Sequence, residues 1–137
     1  MPKCTECGGR ISFSDRPHLA LMRVALSHVV LLESAAIAVD EVTAAYEASE
    51  IYGDRGKRKE SRPLLEAIRA LAAEGRSIAA ALHLAAHGEP RSSGTPFGEW
   101  QPRVLSLLGD IRGQLAQDPM AIGPMLKLDE AIRHAAQ

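Results

Sequence analysis

The chain has 137 residues, of which 46% are hydrophobic, 4% aromatic and 24% charged, and its formal net charge is −1. This balance excludes a polyanionic tail and a basic nucleic-acid coat, and the length suits one domain. Two cysteines are too few for the disulfide scaffold of a small secreted protein.

The N-terminal segment contains the most specific motif, Cys4-Thr5-Glu6-Cys7 followed by two glycines. A C-x-x-C turn followed by glycine resembles the knuckle of zinc ribbons and rubredoxin-like sites, in which both thiolates bind one metal ion. The resemblance covers about seven of the 137 residues, and the second knuckle of a ribbon is absent. We therefore predict a zinc-binding knuckle over residues 1–16 and a helical bundle domain over residues 17–137.

Three sources for the remaining zinc ligands are open. His18 lies shortly after the knuckle, and His83 and His87 are spaced to lie on one face of a helix. Alternatively, the knuckles of two protomers share one zinc ion through four cysteines. The competing interpretation of His83 and His87 is a pair of half-exposed histidines favoured by the C-terminal helix dipole.

The first half of the domain is predicted to form two long helices. The first covers residues 17–52 and the second residues 63–87, with Ser61 as its N-cap. Residues 53–62 between them are predicted to be a charged linker, because they contain two helix-breaking glycines.

Two shorter helices are predicted to follow. The third covers residues 95–117, and Pro102 divides it so that the better helix begins there. The fourth runs from Asp118 toward Ala136 and restarts at Gly123-Pro124. Four helices with short connections predict an all-α fold, an antiparallel bundle.

Apolar side chains recur at steps of three or four along each predicted helix, which is typical of a bundle core. The predicted core positions are Leu21, Val24, His28, Leu31, Ala35, Val39, Val42 and Tyr46, then Leu64, Ile68, Leu71, Ile78, Leu82 and Ala85, then Val104, Leu108, Ile111 and Leu115, and finally Met125, Leu128 and Ile132. His28 is interpreted as a core histidine hydrogen-bonded to a carbonyl, rather than as a ligand or a general base.

The first half of the first helix is apolar nearly all round, so several of its sides must be covered. Met22, Leu26 and Val30 are predicted to form a homodimer interface, because monomers usually avoid such an exposed patch. The alternative is that this helix runs through the centre of its own bundle.

Charged residues are the other candidates for contacts. Glu33, Asp40 and Glu47 are seven residues apart and are predicted to form a solvated stripe. A basic cluster is predicted either to contact phosphate or to be a soluble loop, and Trp100 beside Phe97 either anchors a partner or closes one end of the bundle. The cluster consists of Arg55, Lys57, Arg58, Lys59 and Arg62.

The location is expected to be the cytoplasm. The N-terminus lacks the apolar region of a signal peptide, and the apolar run 19–32 is too short and too polar for a membrane span.

No catalytic motif is recognised, so we expect no enzymatic activity. The sequence predicts a zinc-stabilised helical interaction or regulatory protein that binds a macromolecule, most readily a protein. A bacterial or phage accessory protein, or an inhibitor of host machinery, would fit this composition. The alternatives are a nucleic-acid-binding regulator that uses the basic loop 55–62, and a metal- or thiol-dependent enzyme. Such an enzyme would join Cys4 and Cys7 to His83 and His87 or to His28.

Overall fold

The computed structural model describes residues 16–49, 56–86 and 96–135. Within these ranges the chain forms four helices and no strand: α1 (Arg16–Ala48), α2 (Lys57–Ala86), α3 (Phe97–Ala116) and α4 (Ile122–Ala135). The prediction of an all-α bundle of four helices is confirmed. The predicted knuckle with Cys4 and Cys7 lies outside the described residues.

The α1–α2 hairpin is the largest helix pair of the bundle. Its antiparallel register is defined near one end by a hydrogen bond of 2.8 Å between the Thr43 and Ser61 hydroxyls, both of which are buried. Farther along, Gly75 lies against Val29. Residue pairs such as 43 with 61 and 29 with 75 therefore lie at the same level of the hairpin.

The helices α3 and α4 complete an up-and-down arrangement. Trp100 near the start of α3 contacts Leu71 in the middle of α2, and α3 then runs alongside α1 in the same direction. The return helix α4 is antiparallel to α1, and Lys127 binds Glu41 at 3.1 Å. Contacts with α2, α3 and α4 therefore cover three sides of α1.

The central position of α1 explains most of its apolar surface. Leu31, Ala35, Val39 and Val42 are buried as predicted, and Leu32 is fully buried as well. The predicted core positions Leu21 and Val24 are instead each 38% exposed. Their exposure is a correction to the predicted core stripe, since the buried positions in this part of α1 are Leu19, Met22 and Ala25 instead.

Two prolines do not bound helices as predicted. The helix α2 begins at Lys57, after Gly56 with φ of 75°, and Pro63 lies inside it. Ser61 is therefore not an N-cap, because its hydroxyl points inward to Thr43. Pro102 lies inside α3, which is continuous. Each proline removes one backbone donor, and burial of the neighbouring side chains stabilises both helices.

By length and composition, α1 could cross a membrane. Residues Pro17–Ala48 include an 18-residue window with a mean hydropathy of 1.6. The apolar run 19–32 considered above is only part of this helix. A core helix of a bundle meets the same criteria, and 44% of the window is buried within the protein.

Candidate functional site

The antiparallel hairpin places two of the predicted zinc ligands at one end of the bundle. His18 is in the first turn of α1, and the register places it level with the last turn of α2, which carries His83. Both side chains are partly buried. We name this region, residues 16–27 of α1 with residues 77–86 of α2, the hairpin end.

The other predicted zinc ligands, Cys4, Cys7 and His87, lie outside the described residues. His87 directly follows the end of α2, and Cys7 precedes the start of α1 by nine positions in the sequence. Chain connectivity therefore attaches all three to the hairpin end. Within the described ranges, no three His, Cys, Asp or Glu side chains are grouped as a metal site requires.

The hairpin end also carries uncovered apolar side chains. Gln101, in the second turn of α3, contacts His28, and α3 runs parallel to α1, so Phe97 at its start lies about level with Val24. The helix α1 therefore extends about 12 Å farther without α3 beside it. Leu21 and Val24 precede His28 by seven and four residues, so all three share one side of the helix. The side of α1 that faces α3 farther along the helix is thus exposed at the hairpin end, whereas Leu19, Met22 and Ala25 on the neighbouring side are buried.

His28 lies at the base of this surface, in a site that favours its neutral form. Its ring centroid is 5.9 Å from that of Trp100, and the Gln101 amide donates to Nε2 at 3.3 Å. Burial lowers the pKa of His28 below 6.5, and the Val24 carbonyl partly opposes this shift. A neutral imidazole fits the predicted core histidine, but the predicted hydrogen bond to a carbonyl is not formed with ordinary geometry, because the buried Nδ1 has no hydrogen-bond partner among the described residues.

Trp100 is part of the core and is not a partner anchor, which corrects the prediction for this residue. It is 0% exposed, and its indole Nε1 donates to the Leu71 carbonyl at 2.9 Å. The facing residue is Gly75, where a Cβ atom would lie 2.4 Å from Trp100 Cζ2. Only a residue without a side chain leaves space for the indole at this position.

The predicted basic loop 55–62 is helical from Lys57 onward, because α2 begins there. Lys57 donates to Asp118 at 3.4 Å and lies 4.9 Å from the Tyr46 ring centroid. Arg58 pairs with Glu47 at 2.6 Å. Lys59 and Arg62 are exposed, whereas Arg55 lies outside the described residues.

The acidic stripe Glu33, Asp40 and Glu47 is partly neutralised by arginines of α2. Glu33 forms an ion pair with Arg76, Glu47 pairs with Arg58, and Asp40 lines a groove together with Arg62. Each exposed pair contributes at most about 1 kcal/mol. The two observed pairs are consistent with the register that the Thr43–Ser61 bond defines.

A groove of about 690 Å³ lies at the opposite end of the bundle, between α1, α2 and the α3–α4 turn. Asp118 is its central polar group. One carboxylate oxygen accepts from the Tyr46 hydroxyl at 2.8 Å and from the Met120 N–H at 2.9 Å, and the other accepts from Lys57. These bonds join three parts of the fold, so the cluster is a structural connection.

No known protein family, curated protein or solved structure matches this chain. The functional argument therefore depends on the geometry described above. Two features were not predicted from the sequence. These are the uncovered surface at the hairpin end and the exposure of Ile37. The sequence does contain a signal for Ile37, because its spacing of seven residues from Val30 places both on one side of α1.

Proposed function

We propose that this chain is a zinc-stabilised helical interaction protein of the cytoplasm, which acts by binding a protein partner at the hairpin end. The observation that carries the proposal is the exposure of Leu21 and Val24, which lie beyond the start of α3 and level with it, respectively. Adjacent exposed apolar side chains are typical of binding surfaces. A partner helix or loop placed there would continue the packing that α3 provides farther along α1.

The zinc part of the proposal is supported by topology. Cys4 and Cys7 precede α1, His87 follows α2, and His18 and His83 belong to the hairpin end itself. Zinc prefers such thiolate and imidazole ligands in a tetrahedral arrangement. A zinc ion held by these residues would connect the N-terminal segment to the end of α2 beside the proposed binding surface.

A protein partner is favoured over a nucleic acid by the pairing of the basic cluster. Lys57 and Arg58 bind the carboxylates of Asp118 and Glu47 within the same chain. Phosphate binding would have to compete with these carboxylates. The hairpin end offers a surface that is mainly apolar instead.

Removal of one thiolate tests the zinc site. We expect the full untagged chain to carry one zinc ion per protomer by native mass spectrometry, and Cys4→Ser to lose it, because a thiolate ligand is removed. Hydrogen exchange should then increase at the hairpin end and change little in the middle of the bundle. Thr5→Ser is the matched control and should retain zinc. A chain purified without chelators that contains no metal would contradict the zinc proposal.

Charge placed at the hairpin end tests the binding surface. A partner protein would be identified by cross-linking to the full chain in cells and then purified. Calorimetry would measure its affinity for the wild-type chain and for each variant. The double variant Leu21→Asp/Val24→Asp should bind at least about tenfold more weakly, since two apolar contacts of about 1 kcal/mol each are lost. The control Leu105→Asp changes an equally apolar residue that is exposed on α3. Equal binding by the double variant and the control would refute this surface.

A further inference from the structure

The fourth side of α1 is an exposed apolar row that none of the described helices covers. Leu26, Val30 and Ile37 are 36%, 57% and 58% exposed, and their spacing of four and seven residues places them in one line. On one side the row is bordered by the Glu33–Arg76 pair with α2, and on the other side by the Glu41–Lys127 pair with α4. We name this line the open row.

The open row has opposite charges at its two ends. Arg23 is exposed three residues before Leu26, and Glu41 follows Ile37 by four residues. Ser34 lies between Val30 and Ile37 on the same side of the helix. Read along α1 over about 27 Å, the row is therefore cation, apolar, apolar, acidic and small polar, apolar and anion. Its two acidic residues, Glu33 and Glu41, also pair with Arg76 and Lys127 of the same chain.

We propose that a second copy of the chain binds to the open row, with the two α1 helices antiparallel across a two-fold axis. An axis level with residue 32 pairs positions whose numbers sum to about 64. Arg23 then lies opposite the partner's Glu41, Leu26 opposite the partner's Ile37, and Val30 opposite the partner's Ser34. Two of these three pairs, Arg23 with Glu41 and Leu26 with Ile37, are complementary, as a two-fold interface requires.

The charges select the antiparallel orientation over the parallel one. Parallel helices would bring Arg23 level with its own copy and Glu41 level with its own copy, and like charges repel at such contacts. The antiparallel pairing forms two Arg23–Glu41 contacts, in which Arg23 shares Glu41 with the partner's Lys127. The two Glu33 residues lie near the axis, where each is neutralised by Arg76 of its own chain. This proposal revises the predicted dimer interface, because Met22 is only 2% exposed and belongs to the core.

The interface is independent of the zinc site. In the antiparallel arrangement the two Arg16 residues lie about 48 Å apart along the helix axes, so the N-terminal segments start from opposite ends of the dimer. The predicted alternative, in which two knuckles share one zinc ion, requires the N-terminal segments to meet. Removal of zinc therefore distinguishes the two kinds of dimer, because it should dissociate only the dimer that shares a zinc ion.

The mass of the full chain in solution tests the proposal. Sedimentation equilibrium between about 1 μM and about 1 mM should show the wild type approaching twice 14.7 kDa. The Val30→Glu variant should fold, because position 30 is exposed. It should remain a monomer throughout, because a dimer would have to bury one added carboxylate from each protomer. Leu105→Glu is the control and should dimerise as the wild type does. Cys4→Ser should dimerise as well.

Charge exchange tests the orientation. Arg23→Glu and Glu41→Arg should each weaken dimerisation by about tenfold, and the double variant Arg23→Glu/Glu41→Arg should recover most of that loss, because the pair is re-formed in reverse. A wild type that stays monomeric to about 1 mM would overturn the proposal. Three other results would also overturn it. These are dimerisation of the Val30→Glu variant, loss of the dimer in the Cys4→Ser variant, and failure of the double variant to recover dimerisation.

Discussion

Trp100→Ala is expected to lower the free energy of unfolding by about 3–5 kcal/mol, because it empties a fully buried site between α1, α2 and α3. The indole also donates to the Leu71 carbonyl, a bond that alanine cannot make. Chemical denaturation followed by circular dichroism would measure the loss. A decrease below about 1 kcal/mol would contradict the central packing role of this residue.

Gly75→Ala tests the same contact from the opposite helix. Alanine favours a helix by about 1 kcal/mol over glycine, yet the new Cβ would lie 2.4 Å from Trp100 Cζ2 and 2.7 Å from Val29 Cγ2. We expect a net destabilisation of about 1–3 kcal/mol. Gly113→Ala in α3 is the matched control, since no atom lies within 4 Å of its added Cβ, and it should stabilise the protein slightly.

A double-mutant cycle separates the steric clash from a general intolerance of alanine at position 75. In a Trp100→Ala background, Gly75→Ala should lose the part of its cost that comes from the indole, while the contact with Val29 Cγ2 remains. Equal costs of Gly75→Ala in both backgrounds would show that Trp100 does not restrict this position.

The role of Trp100 could not be read from the sequence, because it depends on a distant glycine. The Gly/Pro-rich sequence around Phe97 and Trp100 predicts either a partner anchor or closure of one end of the bundle, and Pro102 predicts that the better helix begins after them. In the structure, α3 continues through Pro102 and carries Trp100 into the core. Nothing near position 100 in the sequence indicates that residue 75 provides the space.

The fold class was predictable because the periodicity of apolar residues is a local property. The stripe of α3, comprising Val104, Leu108, Ile111 and Leu115, is buried as predicted. The start of α2 was not predictable from local rules. Glycines and Pro63 favour a linker, but Ser61 bonds to Thr43 and Arg58 to Glu47, and these tertiary contacts stabilise two additional turns.

The candidate surfaces were predictable only in part, because exposure depends on where neighbouring helices end. The sequence indicated that α1 has more apolar surface than one stripe can bury. It could not show that α3 starts about level with Val24, which leaves Leu21 and Val24 exposed. Likewise, the open row lies between α2 and α4, and its position follows from packing rather than from the pattern on α1 alone.

Asp118→Ala is expected to be the most destabilising change at the opposite end of the bundle, by about 2–4 kcal/mol. Three donors lose their acceptor at once: the Tyr46 hydroxyl, the Met120 N–H and the Lys57 ammonium. A typical hydrogen bond contributes about 1 kcal/mol, and a partly buried donor left without an acceptor costs more. Denaturation measurements would show the loss.

Asp118→Asn distinguishes the hydrogen bonds from the charge. The amide oxygen can still accept from Tyr46 and Met120, whereas the ion pair with Lys57 is lost, so we expect a cost of about 1 kcal/mol. Asp129→Ala is the matched control. It removes a carboxylate that pairs with the largely exposed Arg112 at 2.6 Å, and it should cost at most about 1 kcal/mol. Similar costs for Asp118→Ala and Asp129→Ala would show that the Asp118 cluster does not hold α1, α2 and the α3–α4 turn together.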